Sequence, residues 1–194
     1  APGQLSYEQM VEVYRHDSIN PDTAVYGVIA DPVGHSLSPQ VHNAAFGEAG
    51  IDAVYVPFRV PMDTLGQFME EMPRLGLRGL SVTIPHKEAI AMFLTKVDPA
   101  VKGIGAVNTV LFKDQEVLGY NTDYKAAMDS LESSFGPIGA TPSPLKDKRV
   151  LVLGAGGVAR AVMYGLERRG AKATIAGRTR ARACSHQSRR AAAD

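Results

Sequence analysis

Ser81-Val82-Thr83-Ile84-Pro85-His86-Lys87 follows the short apolar run Leu77-Arg78-Gly79-Leu80 and precedes Glu88-Ala89-Ile90-Ala91-Met92-Phe93-Leu94. Local physics reads this as a strand end, a turn stiffened by Pro85, and a segment with helical spacing. In open α/β folds, the loop after the C-terminal end of a strand carries the ligand chemistry. Lys87 sits on that loop with Thr83 four residues before it. A lysine beside a hydroxyl can bind or protonate an oxygen. Alone, the pair reads better as a solvated lysine on an ordinary turn. The flanking stretches decide between these.

Upstream, Val25-Tyr26-Gly27-Val28-Ile29-Ala30 is a buried-type strand, followed by the turn-rich loop Asp31 to Pro39. Ser38 before Pro39 predicts a helix start, with Ser at the N-cap and Pro at the first helical position. That helix is expected to run through Val41, Ala44, Ala45 and Phe46 to Gly50. Ala53 to Phe58 is a second strand, Leu65, Phe68, Met69 and Met72 mark a helix, and Gly79 to Thr83 is a third strand. The order β-α-β-α-β-α predicts a parallel sheet covered by helices. At the front, Ser6-Tyr7-Glu8-Gln9 has the capping-box form and opens a helix expected to end near Arg15.

Downstream, Gly103 to Phe112 leads into a strand, Lys113 to Glu116 is a turn, and Val117 to Tyr120 returns as a hairpin. Asn121-Thr122-Asp123 opens a helix from Tyr124 to Leu131. Gly136 to Pro144 holds three prolines and two glycines and reads as an interdomain linker. Lys148 to Leu153 is a strand, a helix runs through Val162, Met163 and Leu166 to Gly170, and Lys172 to Ala176 is a further strand. From Arg180 onward there is no apolar periodicity.

The fold class is therefore α/β: an open, mostly parallel-sheet substrate domain followed by the first part of a Rossmann-type nucleotide-binding domain. The expected divisions are a connector with a capped helix (1–24), a substrate-binding and catalytic domain (25–135), a linker (136–148), a partial Rossmann domain (149–180) and a disordered tail (181–194).

Composition narrows the function. Net charge is +1, which implies no broad attraction to nucleic acid or to anionic membrane. No apolar run approaches a membrane span. Cys184 is the single cysteine, so no internal disulfide forms and a reducing, cytoplasmic setting is expected. His35, His42 and His86 share no metal-ligand spacing and are read as makers of local hydrogen bonds.

Gly154-x-Gly156-x-x-Ala159 lies between a strand and a helix, the context of a dinucleotide fingerprint. Gly154 allows the tight turn, and Gly156 lets backbone approach a pyrophosphate at the helix N-terminus; Ala155 and Gly157 complete the loop. NAD sites carry an acidic residue at the end of the second strand. Here that strand ends Ala176-Gly177-Arg178-Thr179-Arg180. Arg178 can pair with a 2′-phosphate and Thr179 can hydrogen-bond it, so the expected cofactor is NADP.

In the first α/β unit, Ser36 and Ser38 suit a ligand carboxylate, since hydroxyl donors and a helix N-terminus act together. Asn108 and Asp123 suit ring hydroxyls, and Lys87 with Asp123 can act as an acid–base pair beside a carbinol.

These pieces resemble the shikimate dehydrogenases. The matching stretches are Gly34-His35-Ser36-Leu37-Ser38-Pro39 with His42-Asn43; Ser81 to Lys87; Gly105-Ala106-Val107-Asn108-Thr109; Asn121-Thr122-Asp123; and Gly154-Ala155-Gly156-Gly157. They run in family order from about Val25 to about Thr179. The resemblance implies NADP-dependent interconversion of shikimate and 3-dehydroshikimate, on the route through chorismate to aromatic amino acids. It implies that Ser36 and Ser38 bind the substrate carboxylate and that Thr83, Asn108 and Asp123 contact ring hydroxyls. It also implies that Lys87 is catalytic and paired with Asp123.

Ser81 stands where the family often has Asn, and Gly177 where it usually has Asn. Family members continue with further strands and a closing helix, and the residues from about Ala183 do not resemble them. Ala1-Pro2-Gly3-Gln4 looks like the end of a type I 3-dehydroquinate dehydratase, which implies a dehydratase domain fused upstream. Two other readings stay open: a truncated, non-catalytic shikimate-binding module, and a quinate/shikimate dehydrogenase relative.

Overall fold

The structure, a computed structural model, describes residues 4–177. Their backbone divides into two compact units. The first comprises the described residues up to Lys96 together with Thr109–Gly119; the second comprises Val97–Asn108 and the described residues from Tyr120.

The first unit opens with α1 (Tyr7–Glu12), where the expected capping box is formed in both directions between Ser6 and Gln9. This helix stops short of Arg15, which takes a left-handed conformation ahead of a 3-10 turn at His16–Ser18. Then follow β1 (Ala24–Ala30), α2 (Ser38–Glu48), β2 (Ala53–Arg59), α3 (Leu65–Glu71) and β3 (Leu77–Val82). The rest of the chain adds β4 (Lys96–Val97), α4 (Pro99–Ile104), β5 (Thr109–Lys113) and β6 (Glu116–Tyr120). The described residues end with α5 (Asp123–Ser133), β7 (Arg149–Leu153), α6 (Gly157–Arg168) and β8 (Lys172–Ala176).

Six strands form one sheet in the order β2-β1-β3-β5-β6-β4. β1 pairs in parallel with both β2 and β3, as the alternating pattern predicts, whereas β5 runs antiparallel to β3. Asp114 and Gln115 join β5 to β6 with φ of 49° and 65°, the positive values that a two-residue hairpin turn demands. Ile29, Leu80, Val82, Ile90, Leu65 and Met69 are buried in this unit's core. Each such side chain contributes on the order of 1.5–3 kcal/mol relative to exposure.

Gly27 is required where it stands. A Cβ there would lie 2.5 Å from the Val56 carbonyl oxygen and 2.5 Å from the Phe58 ring. On α2, buried Asn43 donates to the Tyr55 carbonyl and accepts from the Tyr55 N–H, both at 2.8 Å, so one amide pins the helix to β2.

In the second unit, β7 and β8 form a parallel pair, and α6 packs against α5. Ala100, Ile104, Ala106 and Ala161 form one apolar cluster, joined by Tyr124 and Tyr164. Met128, Leu145, Leu166 and Ala171 form another, against which Val150, Val152 and Val162 pack. These valines and Ile175 are half-buried, whereas Leu151 and Leu153, on the opposite face, are 61% and 77% exposed.

Three readings need correction. The segment after Lys87 is not an α-helix but a 3-10 turn at Ala89–Phe93. Gly103–Ile104 ends a helix rather than leading into a strand. Asp98 caps that helix by accepting the Ala100 N–H at 2.7 Å, Pro99 is at its start, and Gly105 closes it at φ +70°. Gly136–Pro144 is no loose connection. Its Gly139 N–H and Ser143 hydroxyl both donate to the buried Glu132 carboxylate, which also accepts from Arg169 Nε at 2.6 Å. The compact units accordingly differ from the expected division at 136–148, because α4 and α5 pack with α6. The expected tail 181–194 lies outside the described residues.

Candidate active site

In the first unit, the candidate residues gather where β1, β2 and β3 end. Thr83 continues β3 by donating its N–H to the Ile29 carbonyl at 3.2 Å. The chain then turns: His86 N–H donates to the Thr83 carbonyl at 2.8 Å, and Ile90 N–H to the His86 carbonyl at 3.0 Å. Asp31 N–H donates to the Ile84 carbonyl at 3.3 Å, which ties the loop after β1 to this turn. Thr83 and Lys87 are half-buried on it. The Asp31 carboxylate is ion-paired with Arg59 at 2.9 Å.

Ser36 and Ser38 lie at the start of α2. Ser38 is the first helical residue and caps nothing with its side chain. Ser36 takes that role instead: its hydroxyl oxygen accepts the Ser38 N–H at 3.3 Å. The two hydroxyls are half-buried at the N-terminus of an 11-residue helix, a position that favours an anion.

Sequence reasoning passed over Tyr55. Val28 is in register with both Pro57 and Ser81, so Tyr55, two residues before Pro57, shares a sheet face with Ser81. Burial raises the pKa of its phenol, against the lowering effect of the Ser81 and Ser38 hydroxyls beside it. The hydroxyl is buried yet completes no hydrogen bond of ordinary geometry. His42 stacks on the Tyr55 ring at 4.2 Å.

In the second unit, Asn108 and Asp123 are brought together. The Asn108 amide donates to Asp123 Oδ1 at 2.7 Å and to the Thr122 hydroxyl at 2.9 Å, and its oxygen accepts the Thr122 N–H at 2.9 Å. Asn121 is buried and structural. It donates to the Ala106 carbonyl at 2.9 Å and accepts the Asp123 N–H at 3.1 Å. Asp123, at the first turn of α5, is thus held by two asparagines, Asn108 on its carboxylate and Asn121 on its backbone N–H.

The glycine loop also lies in this unit. Gly154 takes φ +114°, a conformation that favours glycine, and its N–H donates to the Ala176 carbonyl at 2.7 Å. Gly156 is the N-cap of α6. A Cβ at Gly154 or Gly156 would meet nothing within 4 Å, so open space stands over the loop. Gly154, Ala155, Gly156 and Gly157 therefore fit a dinucleotide pyrophosphate. Arg178 and Thr179 lie outside the described residues. Among the described residues, no group of histidine, cysteine and acidic side chains is placed to hold a metal ion. None of the described helices is long and apolar enough to cross a membrane.

Residues 28–110 match the model of the shikimate dehydrogenase substrate binding domain. This stretch belongs to the shikimate dehydrogenase family. The chain is 45% identical over 191 residues to the chloroplastic bifunctional 3-dehydroquinate dehydratase/shikimate dehydrogenase of Arabidopsis thaliana, covering 94% of this chain and 31% of that protein. It is 45% identical over 148 residues to the shikimate dehydrogenase (NADP(+)) of Bacillus cereus strain AH820, covering 76% of this chain and 51% of that one. The crystal structure of shikimate 5-dehydrogenase from Thermus thermophilus in complex with shikimate superposes with a TM-score of 0.75 at 35% identity, covering 85% of this chain and 60% of that one. The chain thus spans about half the length of the bacterial shikimate dehydrogenase it matches.

Proposed function

We propose that the protein is an NADP-dependent shikimate dehydrogenase, interconverting shikimate and 3-dehydroshikimate on the route to chorismate. The observation that carries this reading is the joint presence of two serine hydroxyls at the α2 N-terminus and of Thr83 and Lys87 on the turn after β3. Both belong to the matched family stretch. The names of the relatives, one an NADP(+) enzyme and one solved with shikimate, support it.

In this reading Ser36 and Ser38 bind the substrate carboxylate, while Thr83, Asn108 and Asp123 hold ring hydroxyls. Lys87 and Asp123 exchange the carbinol proton, and the Asn108 amide keeps one Asp123 oxygen oriented. Gly154 to Gly157 hold the cofactor pyrophosphate, and Arg178 and Thr179 hold its 2′-phosphate. Bound NADP supplies the hydride acceptor. Residues 25–135 serve substrate and residues 149–180 serve cofactor. The partner is a small molecule, with a dehydratase domain fused upstream as in the plant relative. A reducing, cytoplasmic compartment suits the single Cys184.

Titrating shikimate with and without NADP, by calorimetry, tests the reading. Saturable shikimate binding that tightens or shifts with NADP is expected. Shikimate binding indifferent to NADP would favour a non-catalytic binding module, and absence of binding would reject both.

A further inference from the structure

His86 stands next to Lys87 in the chain and is fully buried. Its Nε2 is 2.7 Å from the Val60 carbonyl oxygen, just beyond β2. A carbonyl only accepts, so Nε2 carries the proton and the neutral ring has a bare Nδ1. Nδ1 is buried with no hydrogen-bond partner. Val60 is itself held, donating its N–H to the Ala30 carbonyl at 3.1 Å. One ring therefore ties the turn of Thr83 and Lys87 to the end of β2, which is paired with β1.

We propose that His86 is a positioning residue for Lys87: its neutral Nε2–H, anchored on the Val60 carbonyl, holds the lysine turn in the substrate-binding geometry, and protonation of the ring releases it. The inference rests on the reading of Lys87 as a substrate-facing lysine. A second proton at Nδ1 would place an N–H and a charge where no acceptor stands. Burial lowers the His86 pKa, outweighing the raising effects of the Val60 carbonyl and the Asp31 carboxylate. Asp31 is the facing acid and is already paired with Arg59; Lys87 and Glu88 follow in the chain.

Acetylation of Lys87 by a small amine-reactive ester, read by mass spectrometry of its peptide, follows the lysine without needing turnover. Shikimate protects Lys87 in the unmutated protein. In His86→Phe the half-protecting concentration rises about tenfold or more, since a small misplacement of a working group is costly. His86→Gln, which keeps an N–H donor for Val60, stays close to the unmutated protein. Lowering the pH from about 7.5 to about 4.5, through the ordinary histidine range and below it because burial depresses this ring, weakens protection in the unmutated protein and less in His86→Gln. That comparison also stands if His86→Phe does not fold. Equal protection in the unmutated protein and His86→Phe overturns the inference, as does equal acid sensitivity in the unmutated protein and His86→Gln. Loss of protection in His86→Gln as severe as in His86→Phe overturns it too. Failure of shikimate to protect the unmutated protein rejects the substrate reading, and the inference falls with it.

Discussion

Asn108 donates its side-chain amide to Asp123 at 2.7 Å, across the ends of the β5–β6 hairpin. The bond leaves Asp123 Oδ2 to other partners and fixes which way the carboxylate faces. Asn108→Ala removes a hydrogen bond to a charged group, worth roughly 1.5–3 kcal/mol. Shikimate affinity measured by calorimetry should fall by a corresponding factor of about ten or more. Unchanged affinity would mean that Asp123 is oriented by other groups.

Ser36→Ala and Ser38→Ala should each weaken shikimate binding by roughly tenfold while leaving the maximal rate nearly intact, because carboxylate binding is shared by ground and transition states. Steady-state kinetics separates the two effects. A variant that lowers the maximal rate alone would remove its serine from the carboxylate site.

The Glu132 carboxyl is held well below the usual range, at about 2, by the Gly139 N–H and the Ser143 hydroxyl, then by Arg169. Its folded pKa is depressed from an ordinary value of 4.5. The stabilisation is therefore present above that value and is lost as pH falls towards about 2. Unfolding midpoints measured across this range should drop more steeply with acid in the unmutated protein than in Glu132→Gln. The variant should be less stable at neutral pH by about 3 kcal/mol, the cost of breaking a buried pair. Parallel acid profiles would contradict the assignment.

A Cβ on Gly165 would lie 2.5 Å from Met128 Cγ, so α6 meets α5 through a glycine. Gly165→Val should separate these helices at a cost of roughly 1–3 kcal/mol. Hydrogen exchange should rise at α5 and α6 amides and stay unchanged in β1 and β3. A uniform rise across the chain would mean that the two units do not open independently.

Much of this was legible in advance. Alternating strands and helices, the capping box at Ser6 and the glycine loop at Gly154 each rest on short-range physics and stand where expected. So does the turn of Thr83 and Lys87, because turn chemistry is local, whereas Ser38 is the first residue of α2 and Leu37 its N-cap. Misread elements failed for local reasons as well. Asp98-Pro99 is a helix start signal that the glycines at 103 and 105 obscured, and the latter is the helix's own terminator. Partners distant in the chain were not legible. Nothing in the spacing places Val60 against His86, Tyr55 beside Ser38, or Glu132 under the Gly136–Pro144 segment. Those pairings depend on how helices and strands pack.

Shikimate-dependent reduction of NADP, followed spectrophotometrically, tests the central claim most directly when Lys87→Ala is measured beside the unmutated protein. The account expects NADPH to form only when shikimate is present, with the rate falling by roughly two to four orders of magnitude in Lys87→Ala while shikimate still binds. Absence of shikimate-dependent NADPH in the unmutated protein, or an undiminished rate in Lys87→Ala, would contradict it.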